Sequence, residues 1–471
     1  MLRILIFELV IFLWHIGNAG AHLPKNSSGP AHAIVRDVVI IGGGATGTYA
    51  AIRLQEDFNR SVVLIEREEA LGGHTRTYCD PNTSSTIELG VIAFHDLPVV
   101  RKYFARFDIP LTKLFFNSTM ESYDFLNGRS VNLSERLQSN VEMFSAWSRQ
   151  LQRFPNLDEG YHFPLPAPLD LQRPFEQFAR LYNLTALIPF IWAIDQGIGD
   201  MLQLPTLYVL KSFGPQMLRS LTTGFLATER QNNHEIYDQA LMRLKKTKSV
   251  LVNSKVLSMA RDVSGPYGRA IVRTPSGERV VQAKQFLFTI PPTRDTLTGF
   301  DLDSEEETLF SAFKYINYST GLLRGGPIAY GVTLCNRGSD PDVYSLPRLP
   351  AIYTLGPTQK PSLLTGVKFG SNTTMTVEQM KAEIVAESAK ALRDNSSLQL
   401  AAFANHGPYA LSVSSESIRD GFYQRLYGLQ GRRRSFWTGA AWHTHDSSLL
   451  WNFTDTILSR MQQDWTSSWS N

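Results

Sequence analysis

The feature that most constrains the fold of this sequence is a glycine-rich turn between an apolar strand and a helix, close to the start of the chain. Residues 37–41 (DVVII) form an apolar run of strand length, and GGGATG at 42–47 follows at once. Apolar residues then recur at helical spacing over 48–58, and 61–65 (SVVLI) predict a second buried strand that ends at Glu66. Strand, turn, helix and strand within roughly 30 residues indicate the βαβ unit that begins a doubly wound sheet.

Three glycines of this turn, Gly42, Gly44 and Gly47, fit the spacing of a dinucleotide-binding fingerprint. Gly42 permits the tight turn, Gly44 lets backbone N–H groups approach a pyrophosphate, and Gly47 allows the helix to pack closely on the strand. The N-terminus of the helix faces the phosphate charge. Glu66 lies 19 residues after Gly47, where an acid accepts hydrogen bonds from the adenosine ribose. The motif therefore predicts a bound dinucleotide.

A second glycine pair favours FAD over a nicotinamide nucleotide. It lies in the stretch 71–77 (LGGHTRT), soon after Glu66, where glycines let the chain pass close to a long dinucleotide. Arg76 can neutralise pyrophosphate charge as a bidentate donor. We therefore predict FAD as the cofactor. Its predicted contacts in this stretch are Gly72, Gly73, His74, Arg76 and Thr77.

With these motifs the sequence resembles the amine-oxidase superfamily of flavoproteins, in which an acid ends the second strand and a Gly-Gly-Arg motif follows. Three further stretches fit that superfamily and extend the resemblance over nearly the whole chain. They are Glu88-Leu89-Gly90, the strand ending in Ile290-Pro291-Pro292, and Thr438-Gly439-Ala440-Ala441. The resemblance implies that the last stretch passes the flavin, which adds Gly439 and Ala440 to the predicted cofactor contacts.

Four longer motifs are more specific: LGGHTRTYCDP, in which His replaces the usual Arg, GVIAFHDLPVV, NHGPY and FWTGAAWHTHDSSLLW. Together they resemble the beta-cyclopiazonate dehydrogenase branch of fungal FAD enzymes, whose relatives act in indole-tetramate and diterpenoid-pyrone pathways. The resemblance implies an oxidoreductase that dehydrogenates or oxidatively cyclises a prenylated or terpenoid secondary metabolite. Composition and spacing do not show that substrate.

Two other functions stay open. A flavin amine oxidase would have a Lys near flavin N5 on the strand after the Pro-Pro segment, but residues 315–324 (YINYSTGLLR) offer Ser319 and Thr320, and Lys314 lies just before them. A prenyl-binding escort protein of this fold would hold no flavin. The glycine pair and Arg76 argue against the escort protein.

Histidines near the predicted flavin are the candidates for chemistry. His443 is the candidate general base, because an unperturbed imidazole pKa of ~6.5 suits proton abstraction near neutrality. Alternatively, backbone groups at a helix start satisfy both His443 and His445. His74 either contacts the phosphate side or lies near the isoalloxazine, where it could tether the ring methyl covalently. His406 and Tyr409 either line the substrate cavity or pack in the core, and no metal site is predicted.

At 471 residues the chain exceeds what one hydrophobic core usually holds, so about two to three domains are expected. The predicted fold class is α/β, with a doubly wound FAD/NAD(P)-binding (Rossmann-like) domain and an interleaved α+β substrate domain. The FAD-binding domain is assigned to residues 35–93, 226–292 and 407–465, and the substrate domain to 94–225 and 293–406. The first insertion is predicted to be mostly helical, and the second contains the helix candidate 377–394.

The N-terminus has the pattern of a signal peptide over residues 1–21, with a retained signal-anchor as the alternative. Ten Asn-x-Ser/Thr sequons also favour N-glycosylation in the endoplasmic reticulum lumen or after secretion. They begin at Asn26, Asn59, Asn82, Asn117, Asn132, Asn183, Asn317, Asn372, Asn395 and Asn452. Cys79 and Cys335 are the two cysteines, and the sequence leaves open whether they pair or are free buried thiols.

The expected partners are a small apolar metabolite and molecular oxygen. A net charge of +3 is too small to indicate binding to nucleic acid. No segment after the N-terminus reaches the ~20 apolar residues of a membrane span. No second GxGxxG with strand and helix context follows Gly47, so oxygen is expected to reoxidise the flavin in place of a nicotinamide.

Overall fold

A computed structural model describes residues 33–131, 140–262, 264–326, 328–338, 344–358, 364–371, 375–394 and 398–468. The predicted signal peptide and the sequons at Asn26, Asn132, Asn372 and Asn395 lie outside these residues. Within the part of the chain that is described, no helix combines the length and apolar character that crossing a membrane requires.

The strands, in chain order, are β1 (Ile34–Ile41), β2 (Val62–Ile65), β3 (Thr77–Cys79), β4 (Thr86–Glu88), β5 (Leu111–Leu114), β6 (Thr119–Asp124), β7 (Arg129–Ser130), β8 (Phe225–Thr228), β9 (Val250–Leu251), β10 (Lys255–Ala260), β11 (Gly268–Thr274), β12 (Gly277–Phe288), β13 (Lys314–Arg324), β14 (Val332–Asn336), β15 (Ala351–Pro357), β16 (Leu364–Ser371), β17 (Gln399–Asn405), β18 (Tyr409–Ser412) and β19 (Ser435–Trp437).

The helices are α1 (Ala45–Glu56), α2 (Pro98–Ala105), α3 (Asn140–Leu151), α4 (Leu169–Gln172), α5 (Phe175–Leu181), α6 (Ile188–Ile194), α7 (Thr206–Ser212), α8 (Pro215–Thr223), α9 (Glu235–Lys246), α10 (Ser304–Ser311), α11 (Val377–Leu392), α12 (Ser415–Arg419), α13 (Phe422–Tyr427) and α14 (Ser447–Ser468). Short 3-10 turns lie at Pro155–Asp158, Thr185–Leu187, Arg432–Arg434 and Ala440–Trp442.

The first sheet is the doubly wound sheet that the sequence predicts. Its order is β10-β11-β12-β1-β2-β9, with β19 pairing β12. Strands β12, β1, β2, β9 and β19 run parallel, whereas β10 and β11 are antiparallel to their neighbours. Val38–Ile41 and all of β2 are buried, as expected for strands covered on both faces. The fold class is confirmed.

The second sheet has eight strands in the order β17-β13-β16-β15-β14-β6-β7, with β18 pairing β13. One face packs on α11, where Leu323, Val367 and Phe369 contact the helix residues Met380 and Ile384 in one buried cluster. Helix α11 starts at a capping box in which Thr376 and Gln379 exchange side-chain and backbone hydrogen bonds. This confirms the helix expected over 377–394.

The expectation that residues 94–225 are mostly helical holds only in part. Helices α2 to α8 lie there, but so do β5, β6 and β7, of which the last two form an edge of the second sheet. These strands are short, polar and half exposed, so they lack the apolar alternation by which a strand is recognised in sequence.

The division into two domains stays a prediction, but the topology shows which segments share a sheet. The first sheet takes its strands from residues 34–65, 250–288 and 435–437, and the second from 119–130, 314–371 and 399–412. Strand β18 therefore belongs to the second sheet, although it lies within the segment 407–465 that was assigned to the FAD-binding domain. The chain passes between the two sheets more than once.

Both cysteines are free thiols. Cys79 is exposed on β3, whereas Cys335 is buried on β14. No disulfide joins them, and only one of the two is a buried thiol.

A buried arginine joins segments that are distant in sequence. Arg261, at the end of β10, is fully buried and its Nε donates to Asp301 Oδ1 over 2.7 Å. Its other nitrogens donate to Glu306 Oε2 at 2.7 Å and to Ser435 Oγ at 3.0 Å, and Arg433 also donates to Glu306. Because Ser435 begins β19, this network fixes the strand that leads into Thr438-Gly439-Ala440.

Candidate active site

The first glycine turn is closed by contacts that leave no room for side chains. Gly42 has a φ of +104°, and a Cβ on Gly47 would lie 1.9 Å from the Gly42 carbonyl oxygen. Thr289, just after β12, donates from Oγ1 to the carbonyls of Ile41 and Gly42 over 3.0 and 2.8 Å. The turn is therefore held between α1 and the end of β12, in the roles predicted for Gly42 and Gly47.

Gly44 differs from its neighbours because open space adjoins it. It is the N-cap residue of α1, no side chain caps the helix, and the first turn carries no acid. A Cβ on Gly44 would meet only the Cα of Gly73, at 3.9 Å. The unsatisfied N–H groups of the helix N-terminus suit an anion at this place, as a pyrophosphate requires.

The second glycine pair crosses the first turn at contact distance. Gly72 and Gly73 both have positive φ, of +106° and +56°, and a Cβ on Gly73 would lie 3.0 Å from Gly44 Cα. The Gly72 N–H donates to the Gly43 carbonyl over 2.8 Å. We call the meeting of Gly42–Gly47 with Gly72 and Gly73 the glycine crossing.

Glu66 braces the glycine crossing. Its Oε2 accepts from the Gly43 N–H at 2.6 Å, and its Oε1 accepts from the Glu68 N–H at 2.9 Å. Each carboxylate oxygen can accept a further hydrogen bond. The predicted contact with a ribose is thus compatible with this bracing role, which the sequence did not indicate.

Arg76 and Thr77, both predicted cofactor contacts, lie in different surroundings. The half-buried Arg76 side chain makes no hydrogen bond or ion pair with any residue in the described ranges. Thr77 is already engaged, since its Oγ1 donates to Glu88 Oε2 over 2.7 Å. Burial raises the pKa of Glu88 to about 7. An uncompensated guanidinium beside the glycine crossing fits a diphosphate. The Thr77 hydroxyl is used within the protein, and a contact of Thr77 with the cofactor stays a prediction.

The segment 438–440 also lies beside the glycine crossing. Thr438 N–H donates to the Phe288 carbonyl over 3.0 Å, which continues the pairing of β19 with β12. Gly439 has a φ of +115°, and a Cβ there would lie 3.4 Å from the Thr289 carbonyl oxygen. Ala440 follows and lines a cavity, whose wall also includes Tyr409 and His445. All three predicted cofactor segments therefore converge, and their close backbones and free cation fit a bound FAD.

Four aromatic and imidazole rings form a cluster beside this convergence. The His74 ring lies 5.2 Å from His406, 5.7 Å from Tyr409 and 5.7 Å from His445, measured between centroids. Tyr409 stacks on His445 at 3.8 Å. Burial, with His406 and His445 nearby, holds the pKa of His74 well below its usual value, and burial lowers the pKa of His445 to about 3. These imidazoles are neutral at neutral pH.

The other candidate histidine, His443, lies apart from this cluster. It is fully buried, and its Nε2 lies 3.1 Å from the Asp158 carbonyl oxygen. Burial, with Lys211 nearby, keeps its pKa well below the usual value. Both His443 and His445 contact backbone groups, since Ala410 N–H donates to His445 Nε2 over 2.9 Å. A base role for His443 stays a prediction, but of the two it is His445 that lines the cavity.

The cavity beside these rings is partly open to solvent. Aromatic and apolar groups share its wall with several titratable side chains, of which Asp158, Asp195 and Lys211 were not chosen from the sequence. Its lining includes His95, Asp158, Tyr161, Asp195, Tyr208, Lys211, Met217, Tyr409, Leu411, Ala440, His445, Asp446 and Leu449. Asp195 and Lys211 each follow an apolar helical run, IWAI and TLYVL. A charged residue at the end of such a run is the sequence signal that could have indicated these two side chains.

The strand after the Pro-Pro segment carries no lysine on its buried part. Thr320 of β13 is buried and lies 3.0 Å from His406 Nε2, whereas Lys314 is exposed at the strand start. Lys368 of β16 is the register partner of Thr320, and burial lowers its pKa to about 8. A lysine thus neighbours Thr320, but it lies on the adjacent strand. The sequence of β13 alone does not reveal it.

The three tryptophans of the late segment are core residues. Trp437, Trp442 and Trp451 are fully buried, and Trp437 stacks on Trp442 with 5.5 Å between centroids. Within the ranges that are described, no group of three or more His, Cys, Asp or Glu is arranged to hold a metal ion.

Comparisons with known proteins agree with this geometry. A family model described as an NAD(P)-binding Rossmann-like domain matches residues 40–107. The FAD-dependent oxidoreductase oblC of Cochliobolus heterostrophus is 37% identical over 438 residues, covering 90% of each chain. Beta-cyclopiazonate dehydrogenase of Aspergillus oryzae is 32% identical over 437 residues, covering 91% of this chain and 93% of its own. The chain belongs to this family of fungal FAD-dependent oxidoreductases.

Solved structures share the fold at low identity. A fatty acid isomerase from P. acnes superposes with a TM-score of 0.72 at 18% identity, over 90% of this chain and 98% of its own. A variant of putrescine oxidase gives 0.63 at 14% identity, over 91% of this chain and 99% of its own. These structures show the fold alone. The fungal relatives show that the protein is an oxidoreductase with FAD as its cofactor, and the escort-protein alternative is set aside.

Two glycine variants separate folding from cofactor binding. Gly47→Ala places a methyl group against the Gly42 carbonyl, so we expect the free energy of unfolding to fall by ~1–3 kcal/mol or more. Gly44→Val fills the open space at the helix N-terminus, so we expect a folded but colourless protein. Thermal denaturation and the visible absorbance of the purified variants measure both effects. A yellow Gly44→Val protein would contradict the assigned phosphate site.

The open choice for His74 is decided by acid precipitation. Neither of its ring nitrogens has a hydrogen-bond partner among the described residues, and a neutral imidazole is the form that attacks carbon. If His74 is linked covalently to the flavin, the yellow colour stays in the acid pellet. His74→Ala should release the colour into the supernatant, whereas the matched variant His445→Ala should not. Colour that leaves the pellet of the parent protein would disprove the link.

Proposed function

We propose that this protein uses FAD to dehydrogenate or oxidatively cyclise a prenylated or terpenoid secondary metabolite, of the indole-tetramate or diterpenoid-pyrone type. The observation that carries the proposal is the position of the cavity, which begins at Ala440 and His445 beside the converging cofactor segments. Residues of α7 and α8 form another part of its wall. A substrate in this cavity would lie next to the flavin end of the cofactor site.

The lining of the cavity suits an apolar metabolite. It combines aromatic and apolar surface with a few polar groups, as sites for small organic ligands do. Tyr161, Tyr208 and Tyr409 offer aromatic faces, and Leu411 and Met217 add apolar surface. A relative of this chain is named for its action on beta-cyclopiazonate, which supports a substrate from fungal secondary metabolism.

The residues at the mouth of the cofactor site bind and orient the substrate without adding charge. His74 and His445 are neutral, and Tyr409 stacks on His445, so the wall there consists of uncharged rings. Such rings exclude water from a carbon centre that becomes electron-poor as it loses a hydride. FAD, when bound, supplies the acceptor for that hydride.

Molecular oxygen is the proposed final electron acceptor. The sequence has one dinucleotide fingerprint, Gly42–Gly47, and FAD uses it. No second fingerprint with strand and helix context follows, which argues against a dedicated nicotinamide site.

The test is an anaerobic titration of the yellow protein with metabolite extracts of the producing fungus, followed by air. We expect the flavin absorbance to bleach anaerobically and to return in air with about one hydrogen peroxide per flavin, because a two-electron reduced flavin yields one peroxide. The colourless Gly44→Val variant controls for reactions that do not involve the flavin. A reduced spectrum that persists in air but clears with NAD(P)⁺ or a quinone would exclude an oxidase.

We further propose that the protein is N-glycosylated in the secretory pathway. Support comes from the sequon asparagines that the structure describes: Asn59, Asn82, Asn117, Asn183 and Asn452 are exposed, and Asn317 is partly buried on β13. Glycosylation requires surface asparagines.

Treatment of the protein from its native host with an endoglycosidase should increase its electrophoretic mobility. Replacing the five exposed asparagines by Gln should abolish most of that change. An unchanged mobility of the parent protein would refute the secretory route.

A further inference from the structure

Lys211 is a buried lysine on the wall of the substrate cavity. It lies in α7, is 5% exposed, and follows Val209 and Leu210, which are fully buried. Its Nζ donates to the Leu157 carbonyl oxygen and lies 5.4 Å from the centre of the Tyr161 ring. Lysines are rarely buried without a partner of opposite charge, so this placement calls for an explanation.

The hydrogen bonds of Lys211 can be assigned from its neighbour His443. His443 Nε2 lies 3.1 Å from the Asp158 carbonyl oxygen, so Nε2–H donates there and Nδ1 is left as an acceptor. Lys211 Nζ lies 3.2 Å from Nε2 and 3.3 Å from Nδ1. Because Nε2–H donates to Asp158, Nδ1 is the nitrogen that accepts from Lys211. Two of the three ammonium N–H bonds are thus used by Leu157 and His443, and the third remains for a group in the cavity.

No carboxylate forms an ion pair with Lys211 among the residues that the structure describes. The nearest acids are engaged elsewhere, since Asp446 Oδ1 caps α14 at the Leu449 N–H and Asp158 Oδ2 accepts from Gln216. Burial lowers the pKa of Lys211 to about 7, although the nearby Asp158 and Asp446 carboxylates favour its charged form. The cavity therefore presents an amine donor that forms no direct ion pair with a described residue.

We propose that Lys211 binds an acidic oxygen of the substrate, either an enol of a 1,3-dicarbonyl group or a carboxylic acid, and holds it as an oxyanion. Where the substrate arrives protonated, its O–H bond breaks and the proton passes to the lone pair of Nζ, with no change of oxidation state. The inference deepens the proposed function, on which it rests, by naming the substrate class. An electron-rich oxyanion also eases the loss of a hydride from the same molecule.

Ring compounds of matched size test the inference on the FAD-loaded protein. Cyclohexane-1,3-dione supplies an acidic enol and cyclohexanecarboxylate a carboxylate, whereas cyclohexanone and cyclohexanecarboxamide are their neutral counterparts. Binding is measured by the change in flavin absorbance and, independently of the flavin spectrum, by calorimetry. We expect at least one acidic probe to bind the parent protein roughly tenfold or more tightly than its neutral counterpart, the size of a hydrogen bond to a charged group. A preference for the dione alone identifies the substrate as an enol. A preference for the carboxylate alone identifies it as a carboxylic acid.

Lys211→Met removes the charge at similar length, and we expect it to abolish the preference for the acidic probe. Lys211→Gln provides a second, polar variant in case the first does not fold. Lys381→Met, on the exposed side of α11, is the matched control and should keep the preference. Equal binding of acidic and neutral probes by the parent, failure of both acidic probes to bind, or a preference that survives in the Lys211 variants would overturn the inference. If Lys211-dependent binding is seen but no extract reduces the flavin, the proposed function fails and this binding site stands.

Discussion

The contact between Gly47 and the Gly42 carbonyl oxygen is the constraint on which the cofactor site depends. A Cβ at position 47 would lie 1.9 Å from that oxygen, so only a glycine there allows α1 to start this close to the end of β1. Thr289 then ties the same carbonyl to the end of β12, and Gly439 packs on the Thr289 carbonyl. Three segments separated by more than a hundred residues meet because their backbones come together without intervening side chains.

The parts of the site that rest on local sequence could be predicted, and those that rest on tertiary contacts could not. The roles of Gly42 and Gly47 follow from spacing within one βαβ unit, where strand and helix signals surround the motif. Lys211 gave no such signal, because its cavity is assembled from segments as distant as Asp158, Tyr409 and Ala440. The different contacts of His443 and His445 could not be predicted for a similar reason. His443 meets the Asp158 carbonyl and His445 the Ala410 N–H, and only the packed structure brings those groups to them.

Charge divides the site into regions with different tasks. Arg76, beside the glycine crossing, and Lys211, in the cavity, form no direct ion pair with a carboxylate in the described ranges. The uncharged rings of His74, His445 and Tyr409 form a cluster beside the converging segments. Burial makes an unpaired cationic group costly. For this reason we propose a substrate oxyanion at Lys211, whereas the half-buried Arg76 suits the diphosphate of FAD.

The separation between the glycine crossing and the cavity wall also bears on how such enzymes diversify. The wall along α7 and α8 comes from residues between Tyr208 and Met217, none of which belongs to the three segments that converge on the cofactor. Substitutions in those helices can reshape the accepted substrate while the close backbone contacts stay intact. Enzymes of one family can therefore come to accept different substrates through substitutions in α7 and α8, while the segments that converge on the cofactor stay unchanged.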